Sequence, residues 1–213
     1  MILAAGRGER MRPLTDACPK PLLKVKGQAL IEYHIKALVK SGFTELVINH
    51  AYLGQQIEDY LGSGEKYGAT IQYSPESTAM ETGGGIFNAL RYLGDEPFII
   101  VNGDVWTDYD FSHLPKAISN LAHLVMINNP PHNPDGDFFF YENRLNETKG
   151  NKLTYSGIAV IHPHIFKGCA QDAFPLAPLL RNAIANNQIS AEHYLGVWLD
   201  VGTPERLAEL DQA

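Results

Sequence analysis

The stretch "FTELVINHAYLGQQIEDYLGSGEKYGATIQY", residues 43–73, changes its apolar rhythm twice. "FTELVIN" (43–49) is a β-rich run, "LGQQIEDYL" (53–61) spaces its apolar residues on a helical period, and "ATIQY" (69–73) returns to strand. The same alternation continues with helical "GIFNALRYL" (85–93) and the apolar strand "PFIIVN" (97–102). Upstream, "ALIEYHIKALVKSG" puts Leu30, Ile31, Ile35, Leu38 and Val39 on one helical face and stops at Gly42. Strands alternating with helices predict an α/β fold, a Rossmann-like three-layer α/β/α arrangement around a mixed, mostly parallel sheet.

After residue 111 the alternation fades. "LAHLVMIN" and "KLTYSGIAVI" read as strands, "APLLRNAIANN" as a helix, and "GVWLDVG" as a late strand before the helix "PERLAELDQ". This half is expected to be α+β and to lie over the end of the first sheet. Strand-like sequence resumes at Phe138 after the Pro- and Asn-rich segment 128–134, which marks a loop rather than a linker. All of 1–213 is therefore expected to form one domain, with halves 1–111 and 112–213. No hexapeptide repeat follows residue 200, so no appended β-helix is expected.

The net charge of −7, from 17 basic and 24 acidic side chains, argues against general attraction to nucleic acid or an anionic membrane. A bound phosphate must be held locally. Apolar runs such as "FIIV" are far too short to span a bilayer, and no signal segment opens the chain. The sequence reads as soluble and cytoplasmic, with no protein partner implied. Cys18 and Cys169 form no CxxC and read as reduced thiols.

The chain opens "MILAAGRGERMRPLT". Met11 stands where a dinucleotide fingerprint needs its third glycine, and no Gly-Lys-Ser/Thr follows to make a Walker A loop. There remains a glycine-rich turn after an apolar strand. Gly6 and Gly8 let backbone amides approach an anion, and Arg10 and Lys20 offer cations. "VNGDVWTD" sets Asp104 just beyond a buried strand, and "GVWLDVG" sets Asp200 in a similar place, although either aspartate read alone is a turn or cap. Asp108 and Asp110 read as caps. The histidines form no HExxH, and none is assigned a catalytic role.

"LAAGRGERMRPLT" with "PKPLL" resembles the signature of the sugar-nucleotide pyrophosphorylases, nucleotidyltransferases that act on sugar 1-phosphates. The resemblance implies a GT-A-like nucleotidyltransferase domain. It implies that Arg10 holds the nucleotide polyphosphate, that Lys20 lies beside the reacting phosphates, and that Asp104 shares in catalysis. Leu3, Ala4, Ala5, Gly6, Gly8 and Asn102 would line the nucleotide, and Asp104 and Asp200 would hold Mg²⁺. By position, Glu81, Thr82, Gly83 and Gly84 would lie against the base, although E-T-G-G departs from the family's L-G-T-A. Gly136, Asp137, Ser156 and Gly157 are the corresponding sugar-binding candidates. Relatives usually carry a few residues before "MILAAG", so the first strand is expected to be clipped or its start set late.

The resemblance extends along the whole chain. "INHAYLGQQIEDYLG", "ETGGGI", "VNGDVWTDYDF" and "DVGTPERL" are similar to the branch that uridylylates N-acetylmuramic acid α-1-phosphate in peptidoglycan recycling. That implies UTP and this sugar 1-phosphate as substrates, with Arg144, Lys149 or Lys152 near the sugar's lactyl carboxylate. The alternatives are a mannose-1-phosphate guanylyltransferase, a glucose-1-phosphate thymidylyltransferase, and a non-catalytic sugar-nucleotide-binding regulator. A regulator is expected to lose catalytic charges, whereas Arg10, Lys20, Asp104 and Asp200 are all present.

Overall fold

A computed structural model describes residues 1–212. The first strand, β1 (Ile2–Leu3), leads through a long loop to a small hairpin of β2 (Lys24–Val25) and β3 (Gln28–Ala29), and then to α1 (Leu30–Lys40). The alternating half follows as β4 (Glu45–His50), α2 (Gly54–Leu61), β5 (Thr70–Pro75), α3 (Glu81–Leu93) and β6 (Phe98–Asn102). Beyond it come β7 (Val105–Thr107), β8 (Ala122–Ile127), β9 (Phe138–Tyr141), β10 (Arg144–Asn146) and β11 (Asn151–Ile161). The last elements are α4 (Ala177–Ala185), β12 (Ile189–Tyr194), β13 (Trp198–Asp200) and α5 (Pro204–Gln212).

One nine-stranded sheet runs through both halves in the order β5-β4-β1-β6-β11-β8-β12-β10-β9. The first four strands are parallel, as the alternation predicts. The second half does not lie over this sheet but extends it edge to edge. β11 is antiparallel to β6, with Ile158 opposite Val101, and the remaining strands add outward from it. An antiparallel neighbour fits because β6 offers a free ladder edge and apolar residues on both faces.

Those faces separate cleanly. Ile100 of β6 packs with Ile86, Ala89, Leu180 and Ile184 of α3 and α4, whereas Val101 packs with Ile31, Ile35, Ile57 and Leu61 of α1 and α2. Successive residues on one strand thus serve opposite layers, which gives the α/β/α stack. A third cluster joins Val201 and Leu210 to Met11, Val25 and Leu30, so α5 closes against the first loop and the small hairpin. No helix among the described residues is long and apolar enough to cross a membrane.

The buried face of α1 carries Leu30, Ile31, His34, Ile35 and Leu38, and the helix ends before Gly42 at φ +90°. His34 is an intruder in that apolar face. Burial pushes its pKa down to about 4, against smaller opposing effects from a Val105 backbone hydrogen bond and Asp104. The unfolded chain, with a normal imidazole, therefore takes up a proton first as the pH falls. Stability contributed by neutral His34 is complete above pH ~6.5 and is lost progressively toward pH ~4, by about 3 kcal/mol at the most. Denaturant midpoints at pH 7.5 and 5 should fall further in wild type than in His34→Leu. Parallel profiles would mean that this imidazole is not held neutral.

Candidate active site

Strand order reverses at β1, because the chain builds β4 and β5 on one side of it before crossing to β6 on the other. Carboxyl ends of parallel strands open a crevice at such a reversal. Here a cleft of about 360 Å³ is floored by Leu3, Ala4 and Ala5 after β1, Asn49 of β4, and Asn102, Gly103 and Asp104 after β6. Gly6, Gly8, Glu9 and Arg10 form one wall, and Lys20 and Pro21 continue it.

The loop carrying that wall is held at several points. Gly8 has φ +69°, and a Cβ there would stand 3.0 Å from Thr15 Cγ2 and 3.2 Å from Lys20 Cβ. Only glycine meets both demands. Thr15 is fully buried, and its hydroxyl donates to the Gly8 carbonyl at 2.8 Å. Arg7 donates to the Thr15 carbonyl at 3.0 Å and lies 3.6 Å above the Tyr52 ring. The loop amides are thereby fixed before any ligand arrives.

Lys20 opens a short 3₁₀ turn and is buried to 8% exposure, yet its Nζ donates to Asp104 Oδ2 at 2.8 Å. Arg10 borders the cleft and enters no ion pair among the described residues. Asp200 reaches the same region because β13 is antiparallel to β7, with Asp200 opposite Val105, and the Val201 amide donates to the Asp104 carbonyl at 2.8 Å. Residues distant in sequence become neighbours through this rung. Asp200 Oδ2 accepts from Arg206 Nη1 at 2.8 Å and lies 3.5 Å from His132 Nε2. In both aspartates Oδ2 takes the protein partner, and Oδ1 has no hydrogen bond among the described residues. Two free, hard oxygen donors on adjacent strand ends suit a divalent ion such as Mg²⁺ that keeps substrate and water oxygens as its other ligands.

Four of the residues expected around the base divide into two pairs. Glu81, at φ +57°, and Thr82 border the cleft. Gly83 and Gly84 do not. A Cβ on Gly83 would lie 2.6 Å from the Phe174 ring, one on Gly84 2.3 Å from the Asp172 carbonyl, and the Gly84 amide already donates to the Phe174 carbonyl. These two glycines let segment 172–174 pack onto α3.

None of the four sugar-binding candidates borders this cleft. The Asp137 carboxylate accepts from Asn133 and from the Tyr155 amide, and a side chain on Gly136 would collide with Asn129. Ser156 is buried and donates to the Val125 carbonyl. Gly157, at φ +81°, would set a Cβ 2.6 Å from Asn102 Nδ2. They shape the bulge in β11, where pairing with β8 shifts register between Tyr155 and Ala159. Gly157→Ala should cost about 2 kcal/mol and lower Tm by roughly 6 °C, through backbone strain and displacement of Asn102. An unchanged melting curve would refute that packing role.

Asn49 and Glu76 also belong to the site, although the sequence does not single them out. Asn49 accepts from the Ala4 amide at 3.0 Å and donates to Glu76 Oε1 at 2.7 Å, while Glu76 Oε2 accepts from the Met80 amide at 3.0 Å. Both border the cleft. Gly85 exists for this contact, since its Cβ would stand 2.6 Å from Glu76 Oε1. The available signal is a polar residue ending an apolar strand, in "LVIN" and in "SPE". Asp110 caps its turn as expected, but Asp108 instead accepts from the Val197 amide and from Tyr194, tying the segment before β13 to β7. A second cleft, of about 490 Å³, lies on the other side of Asp200, between segments 127–132 and 194–209.

A sequence model described as nucleotidyl transferase matches residues 1–138. The N-acetylmuramate alpha-1-phosphate uridylyltransferase of Neisseria meningitidis serogroup B is 53% identical over 98% of this chain and 95% of its own. A mannose-1-phosphate guanyltransferase of Hypocrea jecorina is 31% identical over 96% of this chain but only 61% of its own. The crystal structure of HddC from Yersinia pseudotuberculosis superimposes with a TM-score of 0.81, at 20% identity, covering 99% of this chain and 96% of that one. The last likeness bears on the fold alone.

Proposed function

Since the chain belongs to the nucleotidyl transferase family, we propose that it transfers the uridylyl group of UTP to N-acetylmuramic acid α-1-phosphate, giving UDP-N-acetylmuramic acid and pyrophosphate. The observation that carries the chemistry is the buried Lys20 paired with Asp104 at the mouth of a cleft walled by a fixed glycine-rich loop. Identity to the Neisseria uridylyltransferase along nearly the whole of both chains supports the choice of base and sugar. Peptidoglycan recycling in the cytoplasm is the setting that fits these substrates.

The attacking sugar-phosphate oxygen is already anionic, so the reaction needs no general base. It forms a bond to the α-phosphorus as the bond to the bridging β-phosphate oxygen breaks, and pyrophosphate leaves with that electron pair. Lys20 meets charge on the α-phosphate, and Arg10 with the amides around Gly6 and Gly8 meets charge on the departing pyrophosphate. Ala4, Ala5, Glu81 and Thr82, together with Asn49 and Glu76, surround the nucleoside. Asn102 and Leu3 complete the floor of the cleft. Asp104 and Asp200 would hold Mg²⁺, which when bound neutralises phosphate charge and aligns the reacting groups. In this assignment residues 1–111 chiefly hold the nucleotide, and 112–213 chiefly the sugar.

A pyrophosphate-release screen of the four common nucleoside triphosphates against the 1-phosphates of N-acetylmuramic acid, N-acetylglucosamine, glucose and mannose tests the reading. UTP with the muramic sugar should give the highest kcat/KM. A maximum at GTP with mannose 1-phosphate would replace the substrate assignment and leave the reaction class. No turnover with any pair, at nucleotide concentrations shown to bind, would favour the regulator.

A further inference from the structure

The cleft beyond Asp200 has a composition that the nucleotide reaction alone does not require. We infer that it receives the sugar and that His132 and Arg206 select an acidic substituent on that sugar, a reading that rests on the muramic substrate proposed above. Gly202 borders the first cleft, and Asp200, two residues before it, borders the second. A Cβ on Gly202 would stand 3.0 Å from Asp200 Oδ2 and 3.3 Å from Arg10 Nη2, so glycine lets Arg10 and the second carboxylate both come close to this turn. We take the sugar of a phosphate placed beside Asp104 and Asp200 to extend into the second cleft, because Asp200 borders it.

That space suits a substituted hexose by size, at about 490 Å³. His132 and Arg206 are its two nitrogen cation-formers. The His132 ring stacks on Trp198 with an interplanar angle of 21° and ring centroids 6.4 Å apart, and the Trp198 indole is anchored to the Ser156 carbonyl at 2.9 Å. Arg206 Nη1 is occupied by Asp200, but its Nε and Nη2 form no hydrogen bond among the described residues and remain for a second carboxylate. The cations expected from sequence are elsewhere. Lys149 lies over Tyr141 and Lys152 over Phe139, on the β9–β10 side of the sheet, and neither they nor Arg144 borders the cleft.

A lactyl carboxylate brought here would lose water, and donors fixed in place would compensate that loss only for the acidic sugar. Selectivity should thus reside in the ratio of kcat/KM for N-acetylmuramic acid 1-phosphate to that for N-acetylglucosamine 1-phosphate, both with UTP. His132→Ala and Arg206→Gln should each reduce this ratio about tenfold or more. His132→Gln, which retains an N–H donor, should recover part of it. Calorimetric affinities for the two UDP-sugars, read on the same variants, should move in the same ratio without requiring turnover. Equal losses on both sugars, in turnover and in product affinity, would assign the two residues to support of Asp200 and overturn the inference. A wild-type enzyme that does not favour the muramic sugar would instead overturn the substrate assignment on which it rests.

Discussion

Lys20→Ala should lower kcat by about a thousandfold while weakening UTP binding by less than about tenfold. The asymmetry follows from where the ammonium stands. Lys20 is nearly buried, and its one hydrogen-bond partner among the described residues is Asp104, so it faces the cleft as a desolvated point charge. Such a charge interacts most strongly with phosphate oxygens when negative charge accumulates on them, which happens as the sugar-phosphate oxygen enters. Lys20→Arg should restore little, because a planar fork cannot occupy the space that Gly8 leaves above the lysine stem. Turnover and nucleotide affinity are measured separately, with the melting temperature as a check on folding. A kcat within a few-fold of wild type would confine Lys20 to holding Asp104 in place.

Asp104→Asn and Asp200→Asn should each reduce activity by about a hundredfold or more at ordinary Mg²⁺, with partial recovery as the ion is raised. Each substitution keeps the shape and removes an anionic donor. The two differ in their side effects. Asp104→Asn would leave the Lys20 ammonium without its carboxylate, whereas Asp200→Asn would weaken the hold on Arg206. The double variant should be scarcely worse than the poorer single one, because two ligands of one ion act as a unit. Mg²⁺ titrations of rate provide the measurement, and unchanged half-saturation in both variants would return the aspartates to structural roles.

The alternating half is legible in the sequence because each of its elements repeats one period long enough to be counted, from the helical face of α1 to the apolar run of β6. β12 is hidden there, since "ISAEHY" spends its polar residues on tertiary partners. Glu192 accepts from Tyr109, His123 contacts both Ser190 and Glu192, and His193 faces Asn128. The β9–β10 hairpin turns at Glu142 and Asn143, both at positive φ, and only the asparagine is a residue whose type signals such a turn. Within the candidate site, the glycine-rich loop is recognisable from local spacing, while Lys20 and the two aspartates take their reading from the family resemblance. Asn49 and Glu76 carry only the faint signal of a polar residue ending an apolar strand, and His132 and Arg206 carry none, because the fold rather than sequence proximity brings them to the clefts. The triple glycine is ambiguous for a general reason. A missing side chain looks the same in sequence whether a ligand or a neighbouring segment occupies its place, and here segment 172–174 occupies two of the three.

The rung between β7 and β13 has a consequence in time. Every strand end that floors the first cleft has been synthesised by the time Asp104 is added, but its companion carboxylate leaves the ribosome nearly a hundred residues later. A growing chain thus possesses the strand ends assigned to the nucleotide well before it possesses both of the carboxylates assigned to the ion. Premature termination anywhere in that interval yields a product that lacks the second carboxylate, and translation itself sets the order in which the two capacities arise.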